Sequence, residues 1–269
     1  MKPNLSAVVG ALLLSAATLS ASAHVNSAAR LKAYAKLPDW SGIWESDGSF
    51  RTFDAGSNND AGPSTGDTVA DTFGGEPRDR APYTPEWEAK YQKMLASGNK
   101  EQPDTNTRYC AGGVPRIMAS PFQFEIVVQP EETMLVFTQR EVRHIYTDGR
   151  SHPKPDDLWP MFWGDSVGHW QGQTLVVDTI SLKGDIWLDP TGATLSDQVH
   201  LKERVHQIGP EELQDDIEID DPVALTRPWF VTRKYRRVHD TNRMIDEVCT
   251  ENDRDPIVNG KVQPILKAP

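Results

Sequence analysis

The sequence predicts a mainly β protein in which antiparallel strands close into a barrel, and three observations support this fold class. Runs rich in β-branched and aromatic residues follow one another over residues 122–249, while only one earlier stretch has helical periodicity. Short turn signals separate these runs, and connections of that length favour antiparallel neighbours. A meander of about eight strands removes its exposed edges by closing on itself.

Residues 1–23 have the pattern of an export signal. Lys2 precedes an apolar run at residues 7–14, and the segment ends in the small residues 21–23. The apolar run is too short to cross a membrane as a finished helix. We therefore expect cleavage after residue 23 and a periplasmic or secreted protein that makes no membrane contact afterwards.

Residues 24–269 are expected to form a single barrel domain, because no low-complexity linker divides them. Residues 47–80 are rich in Gly, Ser, Asn, Asp and Pro, which predicts a flexible acidic loop. One short accessory helix is predicted from Thr84 as N-cap, Pro85 at the first helical position and Gly98 beyond the last turn.

The barrel strands are predicted from the turn signals between them. Gly in Asp148-Gly149 and in Gln171-Gly172 supplies the positive φ that a tight turn needs, so both dipeptides predict strand reversals. A first short strand is expected within residues 37–45. The later predicted strands are 122–128, 134–142, 143–147, 168–170, 174–181, 199–208, 213–219, 229–238 and 244–249.

Alternation along two of these strands assigns side chains to opposite faces. In the first, Arg143 and Ile145 share one face, and His144 and Tyr146 share the other. In the strand over 199–208, one face holds Val199, Leu201, Glu203 and Val205, and the other holds His200, Lys202, Arg204 and His206.

Charge and cysteine content limit the partners and the compartment. The formal net charge of −11 disfavours nucleic acid and anionic membranes as partners. The expected partner is a small hydrophobic or aromatic molecule. The sequence leaves the oligomeric state open. Its two cysteines, Cys110 and Cys249, are expected to form a disulfide in an oxidising compartment, with two buried free thiols as the alternative.

Ionisable side chains concentrate at strand ends and beside turns, where a sheet presents groups to a cavity mouth. A His or Asp close to an Arg and a Tyr combines a proton acceptor with a cation that stabilises a developing oxyanion or phenolate. For any single member, a structural Arg–carboxylate network is the competing explanation. The candidate catalytic residues are His200, Arg143, Tyr146, Asp148 and Arg204.

Aromatic residues supply a candidate ligand wall. Most of them are expected in the core, but residues 159–163 form a Pro-bounded loop where a ligand wall or lid is the more natural role. Such a wall favours a flat, apolar or aromatic ligand. The candidate substrate-binding residues are His152, Arg150, Trp44, Phe124, Trp163 and Trp170.

Three other kinds of site have weaker support. Residues 164–168 match G-x-S-x-G, but a strand hairpin rather than a helix follows them, so a Ser166 nucleophile is a weak alternative. No H-x-x-x-H pair is present, and we predict no metal. No glycine-rich phosphate loop joins a strand to a helix, and we expect no cofactor. A composite metal site stays open as an alternative, with His144, His152, His169 and Asp148 as its ligands.

Four segments, 143–153, 164–179, 196–204 and 249–252, resemble a family of mostly uncharacterised exported bacterial proteins. They read R-x-I-Y-x-D-G-R-x-H-P, G-x-S-x-G-x-W-x-G-x-T-L-V-V-D-T, S-D with E-R, and C-x-E-N. The resemblance implies a lipocalin-like barrel. Some relatives are associated with breakdown of lignin-derived aromatics, including a cofactor-free phenylcoumaran γ-formaldehyde lyase. The chain departs from the family pattern after Cys110, where an expected proline is missing, and in its acidic loop.

The residues and the resemblance together predict a periplasmic, cofactor-independent lyase or isomerase that acts on a hydrophobic, lignin-derived aromatic molecule, with formaldehyde release as its specific form. His200 or Asp148 would be the base, and Arg143 or Arg204 with Tyr146 would stabilise the departing phenolate. This prediction requires Arg143, Asp148 and His200 to converge inside an apolar chamber. The alternatives are a non-catalytic periplasmic carrier and, more weakly, a serine hydrolase.

Overall fold

The structure is a computed structural model. It describes residues 28–47, 68–69, 78–79, 81–96, 112–119, 122–139, 141–189, 192–241, 243–244, 257–258 and 261–262. The predicted export signal, most of the predicted acidic loop, both cysteines and residues 245–249 of the last predicted strand lie outside the described residues.

The described part of the chain is mainly β. Its helices are α1 (Ala28–Tyr34) and α2 (Pro85–Ala96). Its strands are β1 (Ile43–Asp47), β2 (Thr68–Val69), β3 (Arg78–Asp79), β4 (Phe124–Val128), β5 (Glu132–Phe137), β6 (Val142–Tyr146), β7 (Asp165–Gln171), β8 (Thr174–Ile180), β9 (His200–Gly209), β10 (Glu212–Asp220), β11 (Trp229–Arg237), β12 (Ile257–Val258) and β13 (Lys261–Val262).

Nine of these strands form a closed barrel in the order β1-β11-β10-β9-β8-β7-β6-β5-β4, with β4 pairing back to β1. The pairs β2–β3 and β12–β13 form two separate two-stranded sheets. Closure therefore joins the first barrel strand to both of its neighbours through long-range pairs, Trp44 with Phe124 and Trp44 with Arg237. The prediction of a closed barrel is confirmed.

One pair in the barrel, β6 with β7, is parallel, so the sheet is mixed rather than wholly antiparallel. The Gln171-Gly172 reversal is confirmed as the β7–β8 hairpin, with Gly172 at φ +65°. The reversal predicted at Asp148-Gly149 is wrong. Gly149 does adopt φ +86°, but it opens the long connection 147–164, which carries the chain to a parallel neighbour.

The strand predicted over 134–142 is divided in the structure. It ends at Phe137, whose amide donates to the carbonyl of Glu141 at 2.9 Å across a tight turn. The next strand then begins at Val142 and pairs antiparallel with β5. The segment lacks Gly and Pro, which are the strongest turn signals, so no reversal was predicted within it.

Helix α2 confirms the predicted accessory helix and its start. Thr84 Oγ1 accepts a hydrogen bond from the Trp87 amide at 3.4 Å, which is the contact of an N-cap. Tyr91 and Met94 of its apolar stripe are buried. Helix α1 and two short 3₁₀ turns, Arg116–Ala119 and Pro155–Asp157, were not predicted. Among the described helices, none has the length and apolar character needed to cross a membrane.

Alternation along the strands determines which side chains fill the barrel. The face assignments made from the sequence for β6 and β9 are confirmed. Arg143 and Ile145 are buried inside, whereas His144 is exposed. Leu201 and Glu203 are likewise buried inside. Two charged side chains thus enter the barrel on faces that are otherwise apolar.

Candidate functional site

The interior of the barrel contains a cluster of charged and hydroxyl side chains, which we call the polar centre. Each member is at most 3% exposed. The members come from β6 to β11, which are consecutive around the barrel, so the register of these strands sets the geometry of the cluster. They are Arg143, Ser166, Thr179, Glu203, Asp215 and Tyr235.

Arg143 and Glu203 form a bidentate ion pair. The guanidinium nitrogens Nη1 and Nη2 lie 2.8 and 2.5 Å from the two carboxylate oxygens. Nη2 also donates to Thr179 Oγ1 at 3.1 Å and to Ser166 Oγ at 3.4 Å. Burial disfavours the charged form of Arg143, but the charge and hydrogen bonds of Glu203 outweigh burial and raise the arginine pKa. Arg143 is therefore a fixed cation inside the barrel.

Asp215 is the second carboxyl group of the polar centre. Burial raises the pKa of Asp215 well above its usual range, and the negative charge of Glu203 raises it further. Within the described ranges, neither carboxyl oxygen of Asp215 accepts a hydrogen bond. A protonated Asp215 can instead donate its proton to Glu203. The two carboxyl groups therefore differ: burial favours the protonated form of Asp215, whereas Glu203 pairs with Arg143.

Tyr235 lies beside this carboxyl pair. Its hydroxyl donates to the carbonyl oxygen of Met118 at 3.1 Å. Burial raises the pKa of Tyr235 well above its usual range, so the phenol stays protonated and acts as a donor. A second buried cation, Arg233, faces Asp215 across the β10–β11 ladder and donates to Ser46 Oγ at 2.9 Å.

A small apolar cavity adjoins the polar centre. Its volume is about 10 Å³, which is roughly the space that one water molecule needs. No nitrogen or oxygen atom contributes to its accessible wall. The residues around it are Trp40, Met118, Phe124, Ile126, Thr133, Leu135, Arg143, Ile145, Leu175, Val205, Leu213 and Tyr235. At this cavity the side chains therefore leave little free space, rather than an open chamber.

The predicted site residues Arg143 and Phe124 both lie at this cavity, but the other predicted catalytic residues do not. His200 lies on the outer face of β9. Asp148 is also outside, where Arg150 donates to it at 2.7 Å and holds the pKa of the aspartate below its usual value. The predicted convergence of Arg143, Asp148 and His200 is wrong, because alternation points Arg143 inward while the other two face solvent.

His152 and His200 instead meet outside the barrel, in what we call the outer chain. Their Nε2 atoms lie 2.8 and 2.9 Å from Oδ1 of Asp178. His152 Nδ1 lies 2.5 Å from Oδ1 of Asp165. These contacts hold the connection 147–164 against β7 and β8. The side chain of Asp178 is 40% exposed, so solvent screens the outer chain.

Tyr146 and Arg150 form a separate surface group with Asp148. The Arg150 guanidinium lies 4.0 Å from the centroid of the Tyr146 ring, a cation–π contact. Arg204 is also on the outer face, where it donates to Gln171 Oε1 at 3.2 Å. Neither group contacts the polar centre, and the predicted phenolate-stabilising set is divided between two faces of the sheet.

The predicted aromatic ligand residues are mostly packing residues. Trp44 is fully buried and donates to the Trp40 carbonyl at 2.9 Å. Trp170 contacts Trp40, with ring centroids 5.2 Å apart. Trp163 stacks on Phe137 at 5.8 Å. These contacts stabilise the barrel and its connections, and none of the three tryptophans named as ligand residues borders the cavity.

The G-x-S-x-G segment lies in a strand rather than at a strand-to-helix turn. Ser166 Oγ is 2.8 Å from Thr179 Oγ1 and accepts from Arg143, and neither partner is a general base. The composite metal ligands are also separated: His144 contacts Glu132, and His169 contacts Gln171. Over the described ranges, no group of three or more His, Cys, Asp or Glu side chains is placed to hold a metal ion.

Sequence reasoning missed Glu203, Asp215 and Tyr235 as site residues. A signal for them was present: each stands on the apolar face of an alternating strand. Asp215, for example, lies between Leu213 and Ile217 in the inward series of β10. A charged residue at an inward position of a barrel strand predicts an interior site better than residue type alone does.

Comparison with known proteins does not add an identification. No protein-family model matches the chain, and no curated protein matches it either. The family resemblance stays a prediction, and the functional argument depends on the geometry of the polar centre.

Proposed function

We propose that the protein is a cofactor-independent lyase or isomerase that acts on a small hydrophobic, aromatic molecule in the periplasm or outside the cell, with the polar centre as its acid–base site. The observation that carries the proposal is the buried carboxyl pair: Asp215 with its raised pKa beside Glu203, which is paired with Arg143. This arrangement supplies a proton donor, a proton acceptor and a cation within one water-excluded space.

The cost of burying these groups supports a functional role. An ion pair inside a protein is often no more stable than apolar residues of the same volume, because desolvation of the charges offsets their attraction. Arg143 and Glu203 are each 1% exposed, and Asp215 is fully buried. Perturbed carboxyl groups in such surroundings are typical of catalytic sites.

Formaldehyde release illustrates the chemistry that the polar centre could perform. Glu203 accepts the proton of the substrate hydroxymethyl group as the oxygen forms a carbonyl and the carbon–carbon bond breaks. The released electron pair forms a carbon–carbon double bond and expels the aryl ether oxygen as a phenolate. Arg143 stabilises that oxyanion, and Asp215 donates its proton to it. Transfer of the proton from Glu203 to Asp215 restores the starting state.

The finer parts of the proposal rest on the sequence resemblance. They are the lipocalin-like classification of the barrel, the lignin-derived origin of the substrate and formaldehyde as the product. The mixed strand order and the polar centre are compatible with other isomerase or lyase substrates of the same size and polarity.

A non-catalytic carrier is the second candidate, and one observation favours it. Arg143 and Glu203 already neutralise each other, and the cavity beside them has an apolar wall. Once the side chains around it move aside, such a pocket would bind an apolar ligand without need of proton transfer.

The test is incubation of the purified protein with phenylcoumaran dimers, with formaldehyde and aromatic products followed by mass spectrometry. The matched variant is the double substitution Arg143→Met with Glu203→Met, which replaces the ion pair by apolar side chains and preserves the fold. The proposal predicts turnover in the wild type and at least about a hundredfold loss in the folded double variant. Tight binding of unchanged dimers by both proteins would support the carrier instead.

A further inference from the structure

Met118 contacts the polar centre at the edge of the apolar cavity. It belongs to the 3₁₀ turn Arg116–Ala119, is 3% exposed and borders the cavity beside Arg143 and Tyr235. Its thioether side chain is unbranched and flexible, a type of side chain that fills irregular gaps and repacks readily. The small size of the cavity is thus partly a consequence of Met118 occupying the space.

Two polar groups that border the cavity, Arg143 and Tyr235, make a contact with this one residue. Arg143 Nη1 lies 3.7 Å from Met118 Sδ, within range of a hydrogen bond to sulfur. The Tyr235 hydroxyl donates to the Met118 carbonyl at 3.1 Å. A guanidinium N–H and a phenol O–H therefore both point at acceptors that the turn itself provides.

The acceptor on the arginine side is a poor one. A thioether sulfur accepts hydrogen bonds weakly, whereas oxygen acceptors form shorter and stronger bonds to a cation. A ligand oxygen that replaced the sulfur would improve the bond to Arg143 and could receive the Tyr235 proton as well. The apolar body of the same ligand would contact Phe124 and Leu175, which line the cavity.

Backbone hydrogen bonds hold the turn, within its own segment and to one neighbouring connection. The amides of Ile117 and Met118 donate to the carbonyls of Gly113 and Pro115 at 2.9 and 3.0 Å. The Val114 amide donates to the Phe162 carbonyl at 2.8 Å, in the connection 147–164. These bonds fix the backbone at the start of the turn and do not involve the Met118 side chain.

We propose that Met118 occupies the place of a ligand and that the space it fills determines the size of that ligand. With Met118 displaced, the cavity binds a compact aromatic molecule through one acceptor oxygen. That oxygen receives hydrogen bonds from Arg143 and Tyr235. The ligand class is a phenol, phenolate or aromatic carbonyl compound. This inference deepens the proposed function and rests on it for the identity of the site, but it concerns binding and does not require turnover.

The experiment uses phenol and toluene as probes, because the two molecules have nearly the same shape and only phenol carries an oxygen. Their affinities are measured by calorimetry for the full chain with Met118→Ala, which removes the occupant. The matched control is Leu175→Ala, which enlarges the same cavity but leaves Met118 on Arg143 and Tyr235. Each variant is first checked for a native near-ultraviolet circular dichroism spectrum.

Met118→Ala is expected to bind phenol at least about tenfold more tightly than toluene, the scale of one hydrogen bond to a charged group. Leu175→Ala is expected to show no preference for phenol. Adding Arg143→Met to Met118→Ala should reduce the preference, because only Tyr235 is then left to donate to the ligand oxygen. If Met118→Ala does not fold, Met118→Val tests the same expectation with a smaller change of volume.

Equal binding of phenol and toluene by the folded Met118 variant would overturn the proposal, as would binding of neither. An absence of turnover on phenylcoumaran dimers would instead contradict the proposed catalysis and leave the phenol preference standing. The two failures are therefore distinguishable.

Discussion

Two clusters of ionisable side chains lie on opposite faces of the same barrel wall. Glu203 of the polar centre points inward from β9, and His200 of the outer chain points outward from the same strand. Inside, Glu203 is 1% exposed, whereas Asp178, the hub of the outer chain, has a side chain that is 40% exposed. Because His200 and Glu203 are an odd number of residues apart in β9, alternation places one side chain outside the barrel and the other inside.

The comparison shows that residue type is a weaker guide to function than environment. The outer chain has the histidines and aspartates that acid–base catalysis commonly uses, but water screens their interactions. In the polar centre, burial raises the pKa of Asp215, and Arg143 forms an ion pair with Glu203 that water does not screen. Exposed ion pairs contribute about 0–1 kcal/mol, while removing one partner of a buried pair costs about 3–5 kcal/mol.

The largest expected effect is that of Glu203→Ala. It leaves the Arg143 cation buried without its carboxylate, and the free energy of unfolding should fall by about 3–5 kcal/mol. The control is Glu218→Ala on the outer face of β10, where Glu218 accepts from Lys202 at 2.9 Å and its loss should cost about 0–1 kcal/mol. Urea denaturation measures both. Equal losses would remove the distinction between the two faces.

Asp215→Asn tests the comparison between the two faces through the pH dependence of stability. Because burial raises the pKa of Asp215, its contribution to folding is complete below the pKa of the unfolded chain and is lost as the pH rises through the folded pKa. The amide has no proton to lose. As the pH rises, the unfolding free energy of the variant should therefore increase relative to that of the wild type. We expect an increase of about 1–3 kcal/mol, which is the usual penalty for an unsatisfied buried group.

Unfolding free energies at a series of pH values measure that difference. Asp220→Asn, on the outer face of the same strand, is the control. Its unfolding free energy should change with pH as that of the wild type does. A constant difference between Asp215→Asn and the wild type across the range would show that Asp215 titrates as an ordinary aspartate.

Asp178→Ala should have a smaller effect, because its bonds to His152 and His200 are partly solvated. We expect a loss of about 1 kcal/mol in unfolding free energy. Hydrogen exchange in the connection 147–164 should accelerate modestly, since His152 then holds that segment to the barrel wall only through Asp165. A loss as large as that of Glu203→Ala would make the outer chain the more important cluster.

The smallest expected effect is that of His200→Ala. Its ring lies outside the barrel, so we expect a stability change of about 0.5 kcal/mol or less and turnover within about threefold of the wild type. If His200 were the base, as the sequence suggested, the loss would be at least about a hundredfold. Steady-state kinetics decide between the two, and a hundredfold loss would move the catalytic site to the outer face.

Much of the barrel could be predicted because its causes are local. Gly172 at a two-strand turn, Thr84 before Pro85 and the alternation around Ile145 each depend on a few neighbouring residues. The parallel β6–β7 pair could not be predicted in the same way. Gly149 takes the expected positive φ, but tertiary pairing decides where the chain goes after it.

The candidate site was only half predictable for a related reason. Alternation placed Arg143 and Glu203 on apolar faces, and the structure confirms both. That they form one pair depends on the β8–β9 register and on closure of the barrel, which join residues far apart in the chain. Asp215 enters through the β9–β10 register, where it faces Val205. No local pattern encodes those partnerships.

The most direct test of the account is the protonation state of Asp215, measured by carbon-detected nuclear magnetic resonance of its side-chain carboxyl group over a pH titration. The account predicts that the Asp215 carboxyl loses its proton at a pH well above the range of an ordinary aspartate, because burial raises its pKa. Titration of that carboxyl near about pH 4 would contradict a dry acid–base pair inside the barrel.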